Sequence, residues 1–218
     1  MDLKEITGNI LFLDIETAAQ FPDFNSVPPI TQELWAKKTE LRRKKEEITP
    51  EEFYKTAGIY AEFGRIVCIS AGYFLEENDK LLFKIKSFYN KDEKQLLKDF
   101  SETLEKFYSQ PDRLLCAHNG KEFDFPYISR RMLINGIKIP DMMDYAGKKP
   151  WEVPYLDTLE LWKFGDHKNF TSLNLMASVF GMPSPKDDRD GSMVNDTFWK
   201  ENDMEKIVTD FEKDVFTL

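Results

Sequence analysis

The stretch Asn9-Ile10-Leu11-Phe12-Leu13-Asp14-Ile15-Glu16-Thr17 decides how the rest of the chain is read. Residues 9–14 form a short apolar strand that ends in an acid. Side chains alternate along a strand, so Asp14 and Glu16 fall on one face and Ile15 on the other. Two carboxylates that close repel each other, and without a cation one of them tends to take up a proton. Mg²⁺ and Mn²⁺ prefer oxygen ligands, so a shared hard cation removes the conflict. The alternative, an edge strand with solvated acids, sits poorly beside the buried character of Ile10-Leu11-Phe12-Leu13.

Working outward, 21–30 is proline-rich and reads as a loop. Residues 31–47 read as a charged, solvated helix around Leu34, Trp35 and Leu41. Thr49-Pro50-Glu51-Glu52 carries a helix start, with Thr49 as N-cap, Pro50 at the first helical position and Glu52 completing a capping box. Segment 21–61 is therefore expected as a helical insertion, with Trp35 and Phe53 buried and the whole placed near substrate entry. Residues 65–74 and 81–88 form a hairpin turning at Asn78-Asp79. A helix over 92–108, a short strand at 113–117, a helix from 123 to 134 and an extended piece ending in Asp157 follow. Helices at about 158–164 and from Thr171 or Ser172 to Phe180, a polar loop at 184–196 and a final helix at about 203–217 complete the chain. Strands interleaved with helices predict an α/β fold, a mixed sheet flanked by helices on both faces, in one domain over 1–218.

Two further acids stand out. Asp124 follows the strand and turn of His118-Asn119-Gly120-Lys121-Glu122-Phe123, in the opening of a helix whose dipole alone would favour an acid. Asn119 offers an amide, Phe123 offers either a stacking face or a core ring, and His118 suits local hydrogen bonds at a strand end. Asp214 lies in the last helix, beside the stripe of Ile207, Val208, Phe211, Val215 and Leu218. Asp210 is one turn earlier on the same face. Such a pair is either a solvated acidic face or aimed at a metal.

The 218 residues carry 30 Lys+Arg against 39 Asp+Glu, a formal net charge of -9 that disfavours unspecific binding to a polyanion but is compatible with a carboxylate cluster holding cations. Cys68 and Cys116 sit in apolar runs and read as reduced core thiols. With two histidines and no CxxC pair, a zinc site is not expected. No apolar run is long enough to span a bilayer and the first residues lack a signal pattern, so no membrane partner and a cytoplasmic location are expected. Neither a P-loop nor a nucleophile elbow is present.

Together these features resemble the DEDD superfamily of 3′–5′ exonucleases, in its proofreading-type branch typified by family-B DNA polymerases. Asp14 and Glu16 match the first motif, D-x-E; Asn119, Phe123 and Asp124 match the second, N-x-x-x-F-D; Asp214 matches the terminal acid of the third. The likeness runs through 64–74, 118–132, 156–166, 171–177 and 183–192. It implies a ribonuclease-H-like fold and hydrolysis of phosphodiester bonds in DNA or RNA from a free, single-stranded 3′ end, with two divalent cations, Mg²⁺ or Mn²⁺. Asp14, Glu16, Asp124 and Asp214 are then the catalytic and metal-binding acids and should converge. Thr17, Asn119, Lys121 and Phe123 become candidate substrate contacts, and Lys186 or Arg189 candidate phosphate contacts. The chain departs from the branch at one position: where a tyrosine is expected four residues before the terminal acid stands Asp210, a further candidate catalytic residue. That departure motivates a second reading, a weakened homologue that binds nucleic-acid ends or a protein partner. Another metal-dependent phosphohydrolase is a third.

Overall fold

The computed structural model describes residues 7–108, 112–166, 170–183 and 193–218, apart from the side chains of Tyr108, Asp210 and Phe211. Five strands form one mixed sheet: β1 (Ile10–Ala19), β2 (Gly64–Glu77), β3 (Lys80–Tyr89), β4 (Leu114–Ala117) and β5 (Leu156–Asp157), in the order β3-β2-β1-β4-β5. β1 and β2 pair antiparallel, as do β2 and β3, whereas β1–β4 and β4–β5 are parallel. The β2–β3 turn is made by Asn78 and Asp79, both at positive φ (53° and 59°), the backbone of a tight hairpin.

β1 extends beyond the acids that the sequence reading placed at its end. The ladder with β2 continues through Thr17↔Ile66 to Ala19↔Gly64, with a register shift between Glu16 and Thr17. Asp14 and Glu16 therefore stand in mid-strand, and the bulge lies just beyond Glu16.

The helices are α1 (Pro29–Glu46), α2 (Pro50–Phe53), α3 (Glu93–Tyr108), α4 (Asp124–Ile134), α5 (Thr158–Lys163), α6 (Leu173–Val179), α7 (Val194–Asp196) and α8 (Met204–Thr217). One face of the sheet buries Leu11, Leu13 and Ile15 against Leu97, Phe100 and Leu104 of α3 and Phe125, Ile128 and Met132 of α4. On the other face Ala18, Val67 and Cys68 pack with Val194, Phe198 and Ile207. Helices thus cover both faces, as β2 requires: its apolar run Ile66–Ile69 is buried throughout. Gly72 lets α8 approach, because a Cβ there would collide with Phe83 and come within 2.8 Å of Val215 Cγ1.

Segment 21–61 builds its own cluster on the end of β1. Trp35 is fully buried among Phe53, Tyr54, Tyr60 and Phe63, with ring centroids 5.2–5.7 Å away, and Ala19 and Val27 complete the cluster. The Thr49–Glu52 capping box forms, with Pro50 opening α2. Residues 193–196, read from sequence as the end of a polar loop, are instead helical and run into a π turn at Thr197–Glu201. Val194 and Phe198 explain the difference, since both are buried against β1 and β2. Among the described residues no helix is long and apolar enough to cross a membrane.

Candidate metal centre

Asp14 and Glu16 project from one face of β1, and α8 lies over that face. Each of Asp14, Glu16 and Asp214 offers one carboxylate oxygen, and these atoms all lie within 4.8 Å of one another. Nearly two hundred residues separate Asp214 from the others in the chain. Ionised carboxylates this close repel by roughly a few kcal/mol at a protein's effective dielectric. An all-oxygen donor set of this charge fits a hard divalent cation and does not fit a soft one. Asp14 and Glu16 are half-buried, leaving the trio open on one side, while Asp214 is buried.

Asp124 opens α4, whose apolar side chains pack with Leu11, Leu13 and Ile15. β4 pairs with β1 only over Ile10–Phe12. Beyond that point Asp124 Oδ1 accepts the Ile15 N–H at 3.1 Å. Burial pushes its carboxyl up to about 7, with a smaller push from the charge of Asp157, while the Ile15 hydrogen bond pulls the other way. Asp124 is not one of the three acids grouped within 4.8 Å; it touches the peptide between two of them.

The loop before Asp124 is held by a residue that sequence reading did not single out. Asp157, buried at the end of β5, accepts N–H groups from Asn119 (2.9 Å) and Leu159 (3.0 Å) on Oδ1 and from Lys121 (3.1 Å) on Oδ2. One carboxylate thus caps α5 and fixes the Asn119–Lys121 turn. Asn119 has φ 60°, tolerable for asparagine. At Gly120 any Cβ would run into Ala117 and Phe125. Lys121 Nζ pairs with Glu160 Oε2 at 2.7 Å, and Phe123 packs half-buried with its ring 5.3 Å from that of Tyr127. Thr17 is half-buried and its hydroxyl lies beside Tyr127, whose own hydroxyl donates to Gly58 O. His118 is hydrogen-bonded, but to partners 40 and 53 residues away rather than locally as expected. Nε2 lies 2.8 Å from the Thr171 carbonyl, which can only accept, so Nε2 carries the proton and Nδ1 accepts from the Thr158 hydroxyl at 2.9 Å.

A second unforeseen set positions α8. Cys68 Sγ lies 3.7 Å from Ser70 Oγ, Ser70 Oγ 2.9 Å from Ser87 Oγ, and Ser87 donates to Glu212 Oε1 at 2.7 Å. Glu212 is two residues before Asp214, so this ladder ties the helix to β2 and β3 beside the trio. Two serines, one in the apolar run of β2 and one in β3, were its trace in the sequence. Cys68 and Cys116 are free and buried, and burial pushes both thiols up to about 12. Lys186, Arg189 and the side chain of Asp210 lie outside the described residues.

Residues 59–217 match a family described as predicted 3′–5′ exonucleases related to the exonuclease domain of PolB, and the chain belongs to this family. The match includes Asp124 and Asp214 and begins after Asp14 and Glu16. Among solved structures, the chain is similar to the family B DNA polymerase from the hyperthermophilic archaeon Pyrobaculum calidifontis, at 15% identity and a TM-score of 0.50, over 95% of this chain and 22% of that one. It is also similar to E. coli exonuclease I in complex with a dT13 oligonucleotide, at 11% identity and a TM-score of 0.42, over 92% of this chain and 40% of that one. The chain thus spans less than half the length of either protein. No curated protein sequence matches it.

The fold is α/β and ribonuclease-H-like, and the family is that of a DEDD-like 3′–5′ exonuclease domain, as the two sequence motifs imply.

Proposed function

We propose that this chain is a metal-dependent exonuclease that hydrolyses single-stranded DNA or RNA from a free 3′ end with two divalent cations, Mg²⁺ or Mn²⁺. The observation that carries this reading is the meeting of Asp14, Glu16 and Asp214, with Asp124 bonded to the peptide between the first two. Asp14, Glu16 and Asp214 would hold one cation, and Asp14 with Asp124 would share the other. Bound there, the cations would lower the pKa of an attacking water and stabilise the leaving oxygen.

The chain's own residues account for binding and positioning. The Asn119–Lys121 turn, fixed by Asp157, would offer the Asn119 amide and the Lys121 cation to a strand. The half-buried Phe123 offers a ring for the terminal nucleotide. The Ser70–Ser87–Glu212 ladder keeps Asp214 in register with β1. The surrounding acidity suits a site that takes up cations before it takes up a polyanion.

A single-stranded oligonucleotide labelled at one end or the other tests the reading. With Mn²⁺, the 3′ label should leave at once as a mononucleotide and the 5′-labelled strand should shorten stepwise. EDTA should stop both. Immediate release of the 5′ label would contradict the polarity.

A further inference from the structure

A cavity of about 530 Å³ opens along the outer side of α4, against the segment 139–155. Its size falls in the range of small-molecule sites. Phe125, Tyr145 and Tyr155 line it: Phe125 and Tyr155 pack at a tilt of 36° with centroids 4.1 Å apart, and Tyr145 meets Tyr155 edge to face at 5.2 Å. Three cations also line it: Lys121 at one end, Arg130 on α4 and Lys148 on the facing segment. Lys121 is paired with Glu160, whereas Arg130 and Lys148 form no ion pair among the described residues. Lys121 belongs to the turn held by Asp157, so the cavity begins where the Asn119–Lys121 loop ends.

We propose that this cavity binds one nucleotide unit outside the metal centre, the base against Tyr145 and the apolar side chains of Leu133 and Ile139, and the phosphate between Arg130 and Lys148. A ring-bearing ligand with one anionic group satisfies both walls. Glu122 and Asp144 also line the cavity. Their charges disfavour a triphosphate and can accept the N–H groups of a base edge. The identity of the ligand rests on the exonuclease reading, because continuity with the Asn119–Lys121 loop is what selects a nucleotide. The nucleotide comes either from the bound strand or from the pool of released mononucleotide.

The chain carrying Asp14→Ala and Asp214→Ala, which disables the metal centre, should be titrated calorimetrically with dTMP and with a thymidine decamer. Arg130→Glu with Lys148→Glu should weaken binding by about tenfold or more. So should Ala146→Trp, which fills the cavity from its exposed rim without changing charge. Loss of decamer binding identifies the strand as the source. Loss confined to dTMP identifies the free product. Thymidine and inorganic phosphate alone should bind about tenfold more weakly than dTMP. Unchanged affinity for both probes in either variant overturns the pocket, as does an effect of the charge reversals without an effect of Ala146→Trp. The titration needs no cleavage, so a pocket that binds dTMP in a chain that never cuts DNA would count against the exonuclease reading alone.

Discussion

Asp124 Oδ1 accepts the Ile15 N–H at 3.1 Å, and that amide lies between the residues whose side chains, Asp14 and Glu16, meet Asp214. The bond replaces the strand pairing that β4 abandons after Phe12. It gives Asp124 a structural task separable from any chemistry. Asp124→Ala should leave the buried Ile15 donor unsatisfied and cost about 1–3 kcal/mol in urea unfolding. Asp124→Asn keeps an acceptor and should recover most of that stability while cleavage stays lost. Equal stability of the alanine variant and the wild type would remove the bond from the account.

Asp157 should prove as important to the loop as to the helix it caps. Asp157→Ala removes a buried carboxylate serving both segments and should cost about 3 kcal/mol. Asp157→Asn keeps one oxygen, which can still accept from Asn119 and Leu159 but not from Lys121, and should fall between. Hydrogen exchange should localise the loosening to 119–121 as well as to 158–160; protection unchanged at 119–121 would contradict a shared anchor.

The pH dependence of stability should carry a contribution from His118. Burial holds its imidazole below the ordinary 6.5, while the bond to Thr171 and the charge of Asp157 oppose that shift. The folded state therefore prefers the neutral ring. This contribution is complete above about 6.5 and is lost as the pH falls through the folded value. Between about pH 7.5 and 5 the melting temperature of wild type should drop more steeply than that of His118→Gln. Parallel curves would assign the acid sensitivity to other groups.

Much of this was legible along the chain. Alternation in Asp14-Ile15-Glu16 placed two acids on one face, Thr49–Glu52 capped α2, and Asn78-Asp79 turned the hairpin, because each signal is local. The length of β1 was not legible, since the ladder with β2, rather than the apolar run, carries it to Ala19. Asp157 and Glu212 read as ordinary acids because their partners lie 38 and 125 residues away. The ion pair of Glu93 with Arg131, both buried, was hidden for the same reason: 38 residues separate two charges that look solvated in sequence.

Asp210 is the position at which the chain departs from the tyrosine of the proofreading-type branch. It lies one helical turn before Asp214 in α8. A tyrosine hydroxyl is neutral and reaches further than a carboxylate. Asp210→Tyr should raise the cleavage rate about tenfold, and Mn²⁺ should support the wild type better than Mg²⁺, which demands near-ideal octahedral geometry. Loss of activity in Asp210→Tyr would make the aspartate a working group.

The central claim is that acids from β1 and α8 hold a divalent cation together. Titration of the metal-free chain with Mn²⁺, followed by electron paramagnetic resonance, tests it most directly. Wild type should bind Mn²⁺ saturably. Asp214→Asn, which keeps the shape of the side chain and removes its charge, should weaken that binding by about tenfold or more, matching the loss from Asp14→Asn. Mn²⁺ binding that survives Asp214→Asn unchanged would contradict the claim.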